Sequence, residues 1–241
     1  MLALNINLLE LYWKFLFSKD ILDNSERQKV ATLFNYTQMP IKVSTHQHSR
    51  FKNPQLAKQQ GHFFKITNKQ TDEELVQSTL LKLMLVDRVL NSNFTILNIL
   101  GLNEKLDKRF GGTYTNRMDK NRAQNHIKSL LSDAKWIRII DRYIAENRNQ
   151  WSEYKTILQN ILPNQSIILT IQSNPQINES HKNDLKSLFN NLKDIKGQSY
   201  NLSTTHDRYI ETDKIKILLS SGLYHLSTNS NMDFTYIVSL K

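Results

Sequence analysis

The chain has 241 residues, of which 39 % are hydrophobic, with six glycines, four prolines and no cysteine. That length suffices for one large or two ordinary domains with cores of their own, and the composition excludes extensive disorder. The missing thiols exclude disulfides, cysteine nucleophiles and thiolate metal sites, and fit a cytoplasmic setting.

The net charge is +10 and unevenly spread: residues 1–132 carry 19 basic and 11 acidic side chains, residues 133–241 carry 13 and 11. Ile41–Lys65 holds five basic groups (Lys42, Arg50, Lys52, Lys58, Lys65) and no acid, and Lys105–Lys128 holds seven against Asp107 and Asp119. Such concentration draws polyanions, nucleic acid first and acidic lipid second; a lysine-rich solvated surface is the alternative.

In chain order, the apolar stretch Leu2–Phe17 carries Glu10 and Lys14 and lacks a basic leader, which predicts an amphipathic or buried helix rather than a targeting segment. No apolar run approaches the roughly 18 residues of a membrane span. Asn24–Tyr36 reads as a second helix that Pro40 closes. Ile41–Thr45 and His62–Ile66 read as strands flanking a long basic loop, Ser44–Gly61. Thr71-x-x-Glu74 is a capping box, and Asp72–Leu90 reads as an apolar core helix. His46-Gln47-His48 places two imidazoles on one strand face, which we read as a surface pair because no third metal ligand stands at a workable spacing. In Lys105–Lys128 the basic groups Lys108, Arg109, Arg117 and Arg122 interleave with Phe110 and Tyr114, as on a surface that tracks phosphates and stacks bases. Gly111-Gly112 reads equally as a hinge between domains.

From Ala123 onward the pattern becomes alternating helix and strand. Trp136–Ile140 is a strand with Asp141 at its carboxyl end, Trp151–Leu162 a helix, and Ser166–Ile171 a strand. Leu185–Ile195 is a helix that Gly197 follows, and Tyr200–Thr204, Asp207–Ile210, Ile215–Leu219 and Phe234–Val238 are strands. Successive βα units imply parallel strands with ligands at their carboxyl ends. His206 and Arg208, two apart on a strand, share a face. Asp213 follows five residues after Arg208, with Ser220, Ser221 and Gly222 beyond, and this grouping suits phosphate chemistry. His62, His126, His181 and His225 are isolated and carry no argument.

Asp141-Arg142-Tyr143-Ile144 and His206-Asp207-Arg208-Tyr209-Ile210, in this order and with this βα pattern between them, resemble the phospholipase-D-like C-terminal domain of MIT-domain proteins. The resemblance covers residues 133–241, and nothing before it looks like an MIT module. It implies an α/β fold with a phospholipase-D-like mixed sheet flanked by helices, here preceded by a mostly helical α+β domain, with the boundary at 1–118 and 119–241. In the wider superfamily the histidine of His-x-Lys-x4-Asp attacks phosphorus, lysine clamps the phosphate oxygens, and a second histidine from another motif copy protonates the leaving group. By that pattern His206, Arg208, Asp213 and Ser221 are the catalytic candidates, with Arg208 in the lysine's place. Leu223 departs from the superfamily's asparagine, and with one motif catalysis requires a symmetric dimer.

The resulting expectation is a nucleic-acid-binding module on a degenerate phospholipase-D-like domain, in a prokaryotic antiviral-defence or mobile-element complex. Asp141, Tyr143, Lys42, Arg50, Lys52, Lys58, Lys108, Arg109, Tyr114, Arg117 and Arg122 are its phosphate- and nucleic-acid-binding candidates, without metal or cofactor. The alternatives are a dimeric, metal-independent nuclease or phosphodiesterase using His206, and an adaptor for acidic lipid or a protein partner.

Overall fold

A computed structural model describes residues 2–18, 21–34, 36, 41–50, 64–101, 112–145, 148–200 and 207–241, the side chains of 64, 65, 148 and 149 excepted. The chain divides into two compact units, Met1–Glu104 and Lys105–Lys241. Both are α/β. None of the described helices is long and apolar enough to cross a membrane.

The first unit runs β1 (Leu2–Leu4), α1 (Ile6–Phe17), α2 (Asn24–Phe34), β2 (Ile41–Ser44), α3 (Thr45–Ser49), β3 (Phe64–Thr67), α4 (Asp72–Gln77), β4 (Leu83–Val86) and β5 (Thr95–Asn98). Its sheet has the order β3-β2-β1-β4-β5 with every pairing parallel, so it is a parallel α/β unit and not the α+β one expected, although its helices hold more of the described residues than its strands. The reason lies in the all-apolar runs. Leu83-Met84-Leu85-Val86 and Leu2-Ala3-Leu4 are completely buried, as strands covered on both faces must be, and such runs lack the alternation that betrays a strand. The expected helix Asp72–Leu90 is therefore a short helix and then a strand. Thr71 does cap it, its side chain accepting from the Glu74 amide. Leu2–Phe17 likewise splits, Asn5 accepting from the Leu8 amide to start α1.

His46 and His48 fall on α3, two residues apart and so on different sides. His48 lies edge-on to Trp13, ring centroids 6.0 Å apart. Among the described residues no group of three potential ligands could hold a metal.

The second unit runs β6 (Gly112–Tyr114), α5 (Arg117–Leu131), β7 (Trp136–Ile140), α6 (Arg148–Ile161), β8 (Ile167–Ser173), α7 (Glu179–Leu188), β9 (Leu192–Ser199), β10 (Arg208–Thr212), β11 (Ile215–Leu219), a 3₁₀ turn (Leu223–Leu226) and β12 (Phe234–Leu240). The seven strands are ordered β6-β12-β11-β10-β7-β8-β9. The pairs β7–β8 and β8–β9 are parallel and the rest antiparallel, giving a mixed sheet. A boundary at 118/119 would part β6 from its partner β12, which it meets at Phe234↔Tyr114; the strand belongs with the sheet, and Gly112 lies inside it rather than in a hinge.

Residues 192–199 form a strand where a helix was expected to continue to Ile195. Ile195 is buried between exposed Asp194 and Lys196, a period of two. Gly197 presses on the loop after β8: a Cβ there would stand 2.8 Å from Ile177 Cγ1 and 2.9 Å from its carbonyl oxygen. Of the expected strand Tyr200–Thr204 only Tyr200 is described, and it follows β9.

Register fixes the two faces of this sheet. Ile139 faces Ile210 and Ile137 faces Thr212, all buried, and the helices pack on this side. Arg138 faces Glu211 and lies on the other.

Candidate functional site

The antiparallel pairings of β10 bring three chain segments to one rim. Tyr209 faces Ile140, and Arg208 faces Leu219. The carboxyl end of β7, the start of β10 and the end of β11 therefore meet, which gathers Asp141, Tyr143, Arg208 and Ser221.

Asp141 is fully buried. Its Oδ2 accepts from the Tyr154 hydroxyl at 2.6 Å and from the Leu223 amide at 2.7 Å, and its Oδ1 accepts from the Tyr143 amide at 3.2 Å. The Arg208 Nε stands 3.7 Å from Oδ1, an ion pair too long for a hydrogen bond. A buried charge is tolerated only when paired and hydrogen-bonded, and this carboxylate is both. Burial first, and then the neighbouring carboxylate, push the Tyr154 phenol far above its ordinary range, so it stays a donor. Asp141 was a candidate phosphate contact; with its lone pairs engaged inward and no solvent exposure, it is instead the group that positions Arg208.

The Arg208 side chain keeps 29 % of its surface exposed, and its guanidinium lies over the Tyr143 ring, 5.3 Å from the centroid. Arg142 lies against the same ring at 5.2 Å. Two guanidiniums thus flank one ring, and one buried carboxylate offsets only one of them.

Gly222 lets the chain pass close to this cluster: a Cβ would stand 2.9 Å from the Tyr224 ring and 3.5 Å from Asp141 Oδ2. The Ser221 hydroxyl lies 3.4 Å from the Asp233 carbonyl, to which it donates. The 3₁₀ turn that follows carries His225, Nδ1 3.2 Å from the Ser230 hydroxyl. Its pKa is lowered by burial first, then by the charges of Lys120 and Arg208, with Asp141 opposing. Lys120 is itself buried, donating to the carbonyls of Ser230 at 2.5 Å and Met232 at 2.7 Å.

The remaining candidates are scattered. Asp213 lies in the turn after β10, at the opposite end of that strand from Arg208, and accepts from the Lys135 amide at 3.0 Å. Tyr114 is buried and stacked on Tyr236, centroids 5.5 Å apart; it is a core residue, and not the nucleic-acid contact expected, because the pairing of β6 with β12 sets it beside buried Phe234. Arg117 and Arg122 are exposed on α5, Arg122 being 3.9 Å from Asp119. In the first unit Lys42 donates to the Ser78 carbonyl at 2.7 Å, and Arg50 is exposed at the end of α3. His206, Lys52, Lys58, Lys108 and Arg109 lie outside the described residues.

Sequence reasoning missed Arg142, Tyr154 and His225. Tyr154 sits in a helical apolar stripe, where a tyrosine reads as core. The one usable signal was Gly222-x-x-His225 directly beyond the serines. Comparison of the chain with protein-family models and with curated proteins finds no match in either.

Proposed function

We propose that this chain binds nucleic acid through its phosphates, on a phospholipase-D-like unit whose phosphate seat is the rim formed by Arg208, Arg142 and Tyr143. The single observation behind it is the Asp141–Arg208 pairing. A buried, hydrogen-bonded carboxylate pairs with Nε at 3.7 Å while the Arg208 side chain keeps part of its surface exposed, which suits bidentate phosphate recognition. The mixed sheet with helices packed on one face supports the phospholipase-D-like assignment, and the charge of +10 supports a polyanionic ligand.

Binding without turnover is the reading we prefer. Asp141, though it stands at the rim, is buried and engaged internally, and Asp213 stands at the far end of β10, so neither carboxylate is placed to share in acid–base chemistry there. The nuclease alternative rests on His206, two residues before Arg208. Cleavage that persists in EDTA and disappears in His206→Ala would establish it.

The test is fluorescence anisotropy of a labelled oligonucleotide over a range of salt concentrations. Binding should weaken steeply with salt, and Arg208→Ala should weaken it by about tenfold or more, with Arg142→Ala somewhat less. Salt-insensitive binding, or an Arg208→Ala protein that binds like the parent, would overturn the proposal. Capture by phosphatidylserine vesicles instead would select the acidic-lipid adaptor.

A further inference from the structure

The second face of the seven-stranded sheet has a different character from the rim. Among the described residues the helices of this unit pack on the first face. From α5, His126 meets the Tyr236 hydroxyl at 2.6 Å; from α6, Tyr154 meets Asp141; and α7 joins α6 through Asp184, which accepts from Trp151 at 2.9 Å and Lys155 at 3.1 Å. Tyr236 pairs with Leu219, which pairs with Arg208, so all three belong to the helix side.

On the opposite face Tyr209 pairs with Leu218, and Leu218 with Ile237; all three are half-buried. Trp136 lies on the same face, near the other end of β7, also half-buried. Four residues along β7 separate Trp136 from Ile140, the partner of Tyr209, so the two positions are offset by about 13 Å along the strand direction at roughly 3.3 Å per strand residue. Each ring has an ammonium over it: Lys216 Nζ is 3.8 Å from the Tyr209 centroid, and Lys241 Nζ is 4.7 Å from that of Trp136. Each ring therefore presents a π face to a cation, which is the place a stacked base would take. Between the rings lie Arg138 and Glu211, with Nη1 3.9 Å from Oε2, and Lys241 reaches Glu211 at 2.7 Å. Two cations thus share one carboxylate, and Lys216 adds a third positive charge on the same face.

We propose that this face is a platform for single-stranded nucleic acid, on which bases stack on Tyr209 and Trp136 while Lys216, Lys241 and Arg138 meet the phosphates. Bases take the places the two ammonium groups now hold, and the lysines swing to the backbone. The proposal shares its ligand class with the rim reading but uses none of the rim's residues. A second copy of the chain is the other occupant a half-apolar sheet face could take. The charges argue against it, because Arg138, Glu211 and Lys216 stand on central strands, where a dry protein interface would have to desolvate them. A nucleic-acid interface is polar, wet and positively charged, and aromatic rings set among cations are the means by which single strands are held.

The test uses the full chain, an unstructured oligo(dT) and a hairpin duplex of the same length. Tyr209→Leu, which keeps an apolar strand residue, should weaken oligo(dT) binding by about tenfold and leave the duplex unchanged, since one stacked base is worth that much. The double variant Lys216→Glu, Lys241→Glu should also flatten the salt dependence for oligo(dT). On the unaltered protein, photocross-linking of a 5-bromouracil oligonucleotide should mark the peptides bearing Tyr209 and Trp136. Cross-links confined to other peptides, equal losses for single strand and duplex, or no loss in either variant would overturn the proposal. So would a parent dimer, seen by light scattering, that the Lys216→Glu, Lys241→Glu variant splits into monomers, because the face would then join two copies. Loss of binding in Arg208→Ala but not Tyr209→Leu defeats this proposal alone; the converse defeats the rim alone, and a parent that binds neither probe defeats both.

Discussion

The hydroxyl of Tyr154 donates to the Asp141 carboxylate across 2.6 Å at a place where neither side chain meets solvent. That bond joins α6 to the end of β7, and the Leu223 amide joins the 3₁₀ turn to the same oxygen. One carboxylate is therefore the fastening point for a helix, a strand and a turn.

Its removal should cost more than the removal of any one donor. Tyr154→Phe takes away one hydrogen bond and should destabilise the unit by about 1–2 kcal/mol. Asp141→Ala strands the Tyr154 hydroxyl and the Leu223 amide and leaves Arg208 without its partner, for about 3–5 kcal/mol. Urea unfolding of both variants measures the difference. Equal losses would mean that Asp141 is not the common anchor.

His225 gives the fold a pH dependence of defined sign. Burial and the adjacent Lys120 and Arg208 charges favour the neutral ring in the folded chain, so its pKa lies below the ordinary 6.5. The unfolded chain then binds the proton more readily, and this contribution to stability, intact above about pH 6.5, is lost as the pH falls below it. His181, lowered first by its own burial, acts in the same direction. Melting temperatures followed downward from pH 7.5 should fall through this window, and His225→Gln should make the fall shallower. A slope that His225→Gln leaves untouched would contradict the assignment.

Gly197→Ala should be costly although the residue lies in an ordinary strand. The new Cβ would meet Ile177 Cγ1 at 2.8 Å and, less forgivingly, the Ile177 carbonyl oxygen at 2.9 Å. Pushing β9 from the loop should cost about 1–3 kcal/mol, read as a lower urea midpoint. Stability equal to the parent's would show that the loop yields freely.

The pairing of β6 with β12 predicts where the second unit can be cut. A chain of residues 105–241 retains the edge strand and should fold; one of residues 119–241 bares the β12 edge and should aggregate. Size-exclusion profiles of the two distinguish them. Equal behaviour would make β6 dispensable.

Where alternation or spacing was strong, the fold was legible in the sequence. Trp136–Ile140 and Ile215–Leu219 have the bounds that their patterns predict, because Ile215–Leu219 alternates buried and half-buried residues throughout and Trp136–Ile140 does so up to Ile140, which is buried as well. Leu83–Val86 was misread because a strand covered on both faces looks like a buried helix. Leu192–Ser199 was misread because Leu185, Leu188, Leu192 and Ile195 happen to share helical spacing across a helix-to-strand junction. At the site, Asp141 and Arg208 could be found from their places on strands, and Tyr143 from the resemblance of Asp141-Arg142-Tyr143-Ile144 to its family motif. Tyr154 and His225 could not, since only the tertiary fold brings them to Asp141 and into the field of Arg208.

Asp141 also bears on how this unit assembles. Tyr143 and Tyr154 lie close to it in the chain, but Arg208 and the Leu223 amide, 82 residues beyond it, arrive much later, and until they do the carboxylate lacks its counter-charge and one of its donors. A β7–β8 fragment would therefore bury this charge without its cationic partner, so the early strands of the unit depend on the late ones for a satisfied core.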